Sequence, residues 1–89
     1  MARIVRAWEN DKVNYHRVVH ILDSENIDEI RYNVDSQQMV VSFTNNTKYE
    51  YYDIPCHVFG AIVIADSVGS CFNELIRNKS DLYTYRKVV

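Results

Sequence analysis

The sequence is poor in the residues that punctuate and cross-link a chain. Its 89 residues include two glycines, one proline and two cysteines. Gly60 and Gly69 stand alone, so there is no glycine-rich loop of the kind that cradles a phosphate. Cys56 and Cys71 form no C-x-x-C pair and are too few for a secreted disulfide framework, so both read as reduced thiols. No apolar run approaches the ~20 residues of a membrane span. The longest, VFGAIVIA at residues 58–65, carries a glycine inside it. The opening MARIVRAWENDK has neither an unbroken apolar core nor a small-residue cleavage pattern. A cytoplasmic protein with no membrane partner is therefore expected.

What is present describes one small folded domain over residues 1–89. Hydrophobic residues make up 47% and charged residues 25%, ordinary values for a globular chain. A chain this short buries a modest fraction of its surface and is often helped by oligomerisation, which makes a homo-oligomer one expected partner. The net charge of −2 argues against a general polyanion binder, but the charges are unevenly placed. Residues 1–20 carry +2, residues 21–66 carry −6, and residues 77–89 carry +3 through Arg77, Lys79, Arg86 and Lys87 against Asp81. If the two ends meet in space, they form a basic face on an acidic body; if they do not, they only solubilise it.

Hydrophobic periodicity sets the order of elements. RIVRAW (3–8) and KVNYHRVVHIL (12–22) flank the turn-like ENDK and read as a hairpin. NIDEIRYNV (26–34) and MVVSF (39–43) alternate in the manner of half-buried strands, with DSQQ between them. TNNT (44–47) is a second turn and KYEYYD (48–53) a further strand. From Pro55 the period becomes helical through Val58, Ile62 and Ala65, with Asp53 as candidate cap and Gly69 as stop signal. Ser70 is placed to cap a second helix over CFNELIR, NKSD breaks it, and LYTYRKVV (82–89) reads as a closing strand. The expectation is an α+β fold, an antiparallel β-meander with an N-terminal hairpin, packed against two short C-terminal helices and closed by a C-terminal strand.

Turn length decides where the tyrosines of KYEYY point, because cross-strand neighbours share a face. A two-residue turn at Asn45 and Asn46 sets the apolar face of MVVSF against Lys48, Glu50 and Tyr52. A three-residue turn over residues 44–46, with Asn46 left-handed, sets Phe43 against Thr47, Val41 against Tyr49 and Met39 against Tyr51. The second gives one consistent hydrophobic side and is the expected register. It sends Tyr49 and Tyr51 to the core and leaves Tyr52 outside.

Residues 24–86 as a set resemble the KTSC domain, named for the C-terminal domain of some lysyl-tRNA synthetases and found also as a free-standing small protein. The resemblance lies in Ser24, Ile27, Ile30 and Tyr32, then Met39, Val41 and Phe43, then the Tyr-x-Tyr of Tyr49 and Tyr51. Ile54-Pro55, Ala65, Ser67-x-Gly69-x-x-Phe72-Asn73-x-x-Ile76-Arg77 and a late tyrosine complete it. NKSDL intervenes here before Tyr83, and the first 20 residues have no recognised counterpart. The resemblance implies a KTSC-like unit over residues 24–88 with residues 1–22 as an extra hairpin. It also implies no catalytic activity and a suggested role in RNA binding.

Several patterns carry chemistry if placed well. HRVVH spaces His16 and His20 as zinc ligands on a helix, but in a strand they stand too far apart for one metal, so no metal is expected. Cys56-His57 lacks an orienting third group, and Cys71 at a helix start is only a weak case for an activated thiol, so no catalytic residue and no cofactor are assigned. Gly69 and Ser70 precede a helix whose free N–H groups can receive an anion, with Asn73 and Arg77 on one helical face. The alternative is a helix-to-helix corner with Gly69 in a left-handed turn. YTYRKV interleaves aromatics and cations as single-strand binders do, or is an edge strand protected by charge. The expected function is a non-enzymatic binding domain contacting RNA or a nucleotide-bearing ligand through Tyr52, Asn73, Arg77, Tyr83, Tyr85, Arg86 and Lys87. The alternative is a protein-interaction or homo-oligomeric assembly module.

Overall fold

The computed structural model describes residues 6–9, 17–79 and 82–88, and of residues 6–9 the backbone alone. Six strands, β1 (Arg6–Glu9), β2 (Arg17–Ile21), β3 (Ile27–Asn33), β4 (Gln38–Phe43), β5 (Lys48–Tyr51) and β6 (Tyr85–Lys87), form one sheet in sequence order. All neighbouring pairs are antiparallel. Two helices, α1 (Cys56–Ile64) and α2 (Val68–Leu75), intervene between β5 and β6, followed by a short 3-10 turn at Arg77–Lys79. This is the α+β meander expected from the alternation. The turn proposed at Asn10 and Asp11 lies outside the described residues.

The β4–β5 register follows the three-residue turn. Met39 pairs with Tyr51 and Val41 with Tyr49, while Asn46 is left-handed at φ 69°. The Phe43 N–H donates to the Thr47 carbonyl at 2.8 Å, and Asn45 Oδ1 accepts from both the N–H and the hydroxyl of Thr47. With glycine absent, asparagine supplies the left-handed residue because its short polar side chain tolerates that region. The β3–β4 turn solves the same problem with Gln37 at φ 60°, while Asn33 Oδ1 accepts from the Asp35 and Ser36 N–H groups.

One face of the sheet carries Val19, Ile30, Tyr32, Met39, Val41 and Tyr51 into a core completed by Ile54, Phe59, Ile62, Val63, Val68, Phe72 and Ile76. Tyr32 and Phe59 lie ring on ring with centroids 4.6 Å apart and planes 8° off parallel, which ties α1 to β3. Such a pair contributes about 0.5–1.5 kcal/mol beyond its buried area. The Tyr32 hydroxyl is fully buried and donates to the Ile54 carbonyl, fixing the chain as it leaves β5 for α1.

The helix ends differ from expectation. Asp53 does not cap α1; it takes a left-handed φ of 59° and turns the chain into Pro55, which itself occupies the cap position in extended conformation. The Pro55 carbonyl accepts from the Val58 and Phe59 N–H groups instead of a side chain closing that end. Gly69 neither stops α1 nor adopts positive φ, since α1 ends at Ile64 and Gly69 lies in the first turn of α2. The cap of α2 is Ser67, whose Oγ accepts from the Ser70 N–H at 3.3 Å, so the helix begins three residues before CFNELIR. β1 and β6 form opposite edges of the sheet, about 24 Å apart at ordinary strand spacing, so the strands at the two basic ends do not meet.

Replacing Tyr32 by phenylalanine keeps the stack but leaves the buried Ile54 carbonyl without its donor. A loss of about 1–3 kcal/mol is expected. In a domain of this size each kcal/mol lowers the thermal midpoint by roughly 4–8 °C. An unchanged midpoint in calorimetry would show that the bond contributes nothing.

Candidate functional site

Strand parity sorts the predicted binding residues onto two faces. Tyr51 pairs with Tyr85, Glu50 with Arg86 and Tyr49 with Lys87. Tyr85 and Lys87 therefore share the face of Tyr49 and Tyr51, beside the helices, while Arg86 shares the opposite face with Glu50. The seven predicted ligand residues thus do not form one surface. Tyr83, Tyr85, Arg77 and Lys87 come together; Tyr52 and Arg86 are elsewhere.

The gathered residues surround a slot at the β5–β6 edge. Its floor is Phe43, Tyr49, Tyr51 and Tyr85, and its far wall is Ile76, Arg77 and Tyr83, enclosing about 150 Å³. The aromatic rings brace one another. Tyr85 lies 5.7 Å from Tyr51 and 6.0 Å from Tyr49, Tyr49 lies 6.4 Å from Tyr51, and Phe43 meets Tyr49 edge-on at 5.8 Å. Phe72 anchors the group from below, edge-on to Tyr51 at 5.4 Å and to Phe43 at 5.9 Å. Tyr49 and Tyr51 are thus core residues and slot walls at once. A dry cavity of about this size accepts one benzene-like ring.

Arg77 stands at the rim. It lies just beyond α2, which ends at Leu75 rather than running through residue 77, yet its Nη1 still reaches Asn73 Oδ1 at 3.5 Å. Its guanidinium carbon lies 5.7 Å from the Phe43 ring centre, a cation–π contact that holds the charge over the aromatic floor. A second groove shares Phe43, Tyr49 and Arg77 with the slot and continues along Asn26, Thr44, Asn45 and Thr47 to Lys87. Among the described residues, no carboxylate lines either cleft and neither Arg77 nor Lys87 forms an ion pair. Burial, then repulsion from Tyr49 and Tyr85, pushes the Tyr51 hydroxyl up to about 12 despite the opposing pull of Arg77. Tyr51 is accordingly neutral at physiological pH, and the formal charges that line the two clefts among the described residues, Arg77 and Lys87, are positive.

The opposite face is already neutralised. Arg86 donates through Nε to Glu50 Oε1 at 3.1 Å and also through Nη2, while Tyr52 Oη donates to the same oxygen at 3.0 Å and Gln38 Nε2 to the other at 2.6 Å. The Arg86 hydrogen bond, ahead of those from Tyr52 and Gln38, holds the Glu50 carboxyl below the ordinary range. Tyr52 and Arg86 serve this network, which clamps β6 onto β5. Gly69, Ser70 and Asn73 line a separate groove with Asp23, Glu25 and Asp66 on its walls. Ser67 Oγ already takes the Ser70 N–H there, and three carboxylates disfavour an anion.

His20 Nδ1 lies 3.6 Å from Glu29 Oε2, and His16 lies outside the described residues. Among the described residues no three His, Cys, Asp or Glu side chains are grouped to hold a metal ion. Cys56 is an exposed free thiol; Cys71 is half-buried, its Sγ donating to the Ala61 carbonyl at 3.7 Å. Burial and the nearby Glu74 push the Cys71 thiol up, contrary to the lowering that a helix start suggested. No described helix is long and apolar enough to cross a membrane.

The sequence model of the KTSC domain matches residues 23–83. The fold is similar to the crystal structure of a KTSC domain protein from Yersinia pestis, with a TM-score of 0.69 and 20% identity over 94% of this chain and 99% of that one. Coverage that high reaches into the β1–β2 segment, which lies outside the family match and for which the sequence alone had suggested no counterpart. No curated protein matches the sequence.

Two outcomes test this electrostatic picture. A tyrosine hydroxyl held above its ordinary value of 10.0 stabilises the fold fully below pH 10.0, and that stability is lost as pH rises through about 12. Alkaline unfolding should therefore set in across that window, and Arg77→Ala should move the late tyrosine absorbance transition to still higher pH. Glu50 acts in the opposite sense, stabilising above its ordinary 4.5 and losing its contribution as pH falls through the lower folded value. Glu50→Gln should speed hydrogen exchange of the Tyr52 and Val88 amides, which bond across to Thr84 and Lys48. Unaltered exchange would mean that the ion pair does not hold β6.

Proposed function

The chain belongs to the KTSC domain family, and we propose that it is a non-enzymatic binding domain that contacts RNA or a nucleotide-bearing ligand at the β5–β6 edge. The observation that carries the reading is the convergence of Tyr83, Tyr85, Arg77 and Lys87 on two adjoining clefts whose lining, among the described residues, includes no carboxylate. The exposed Tyr85 ring offers stacking to any base, because every base has a π-face. Cations at its edge meet phosphate. The domain as a whole is acidic, so attraction is local to this edge, while the acidic groove beside α2 and the neutralised Glu50 face repel or ignore a polyanion.

An anisotropy titration of the purified chain with single-stranded RNA, repeated across salt concentrations, tests the reading. Affinity should fall steeply with salt, and Arg77→Ala or Lys87→Ala should each reduce the logarithmic salt slope by about 0.7. Absence of binding at low salt defeats the proposal. If solution mass then shows a salt-insensitive oligomer, the aromatic edge is an assembly surface instead.

A further inference from the structure

The two clefts are continuous, and their order along the sheet edge constrains the form of the ligand. The aromatic slot is sized for one ring at about 150 Å³, too small for a stacked pair of bases. Arg77 borders both spaces, and Lys87 lies only in the second. Tyr85 and Lys87 are two residues apart on one strand and one face, about 6.6 Å along it. That is a span a sugar can bridge between base and phosphate. The groove between Arg77 and Lys87 is walled by polar side chains, among them Asn26, Thr44 and Asn45. The Asn45 carbonyl oxygen is taken up by Thr47, which leaves its Nδ2 to donate outward.

From this we infer that the site takes a single strand of nucleic acid with one base unstacked into the tyrosine slot, that nucleotide's phosphate at Arg77, and the next phosphate in the groove at Lys87. The inference rests on the nucleic-acid reading above and goes further in fixing the ligand as a strand at least two nucleotides long with a splayed base. A paired base cannot enter, because its partner and stacked neighbours occupy the volume that the slot walls fill. A nucleoside fills the slot but leaves both cations unused.

The test compares binding of uridine, uridine monophosphate, a phosphorylated uridine dinucleotide, oligouridylate and an RNA duplex to the full chain by calorimetry and competition. Affinity should rise at each step from uridine to the dinucleotide, and the duplex should bind at least tenfold more weakly than the single strand. Tyr85→Ala should weaken the single strand roughly tenfold, the scale of one lost base stack. Tyr85→Phe should retain binding, and since Tyr85 is 55% exposed, neither change is expected to unfold the domain. Lys87→Ala should weaken the dinucleotide while leaving the monophosphate unchanged. Equal binding of duplex and single strand, or a monophosphate as tight as the oligonucleotide, overturns the inference while the broader reading stands. A single strand that binds with full salt dependence but is indifferent to Tyr85→Ala does the same. If no probe binds, both fall together.

Discussion

The arrangement depends on one residue's backbone. Asn46 at φ 69° makes the β4–β5 connection three residues long, and strand periodicity carries that odd number through the rest of the molecule. A connection one residue shorter would turn Tyr49 and Tyr51 outward and bring Lys48 and Glu50 against the helices, an arrangement that buries two charges against Phe72 and Ile76. Because β6 pairs with β5, it inherits the choice. Tyr85 and Lys87 join the aromatic face only because Tyr51 and Tyr49 are already there, and Arg86 meets Glu50 for the same reason. Turn, core, slot and ion pair are one decision expressed at four places.

That decision also sorts charge. The acidic middle of the chain, residues 21–66, contributes Glu29 and Glu50 to the sheet's outer face and Asp23, Glu25 and Asp66 to the groove at the start of α2. The positive C-terminal segment is split by alternation, with Arg86 spent on Glu50 and Lys87 left facing the aromatic side. A net charge of −2 therefore conceals two clefts that, among the described residues, no carboxylate lines. At moderate salt, where screening acts over about 10 Å, such local sorting matters more than the total.

Much of the fold was legible in the sequence, because period-two alternation in MVVSF and the helical recurrence of Val58, Ile62 and Ala65 after Pro55 are strong signals. The register of β4 on β5 was legible too, since only one turn length gave a consistent apolar side. Helix ends were not. Ser67, Gly69 and Ser70 are all plausible boundary residues, and the choice of Ser67 depends on Val68 being buried with the core, which no local pattern announces. The site was half legible. Aromatic and basic alternation in YTYRKV marked the right segment, but which of Arg86 and Lys87 faces the tyrosines depends on its pairing with a strand some 35 residues away. The roles of Phe43 and of the polar groove beyond Arg77 had no signal at all, since both arise from the meeting of β4, β5 and the end of α2.

The slot lies where the helical layer gives way to the sheet edge. Phe59 of α1 stacks on Tyr32 of β3, and Phe72 of α2 meets Phe43 of β4 and Tyr51 of β5, while Tyr85 on β6 stays 55% exposed. A purely aliphatic surface there would invite association. Tyrosine meets both demands there, since its ring packs against Phe72 and its neighbours while its hydroxyl end tolerates water. The same mutual packing holds the rings in place before anything binds, so a ligand stacking on them loses little side-chain entropy. The aromatic edge is thereby tolerable in the free protein and ready for a planar partner for one and the same reason.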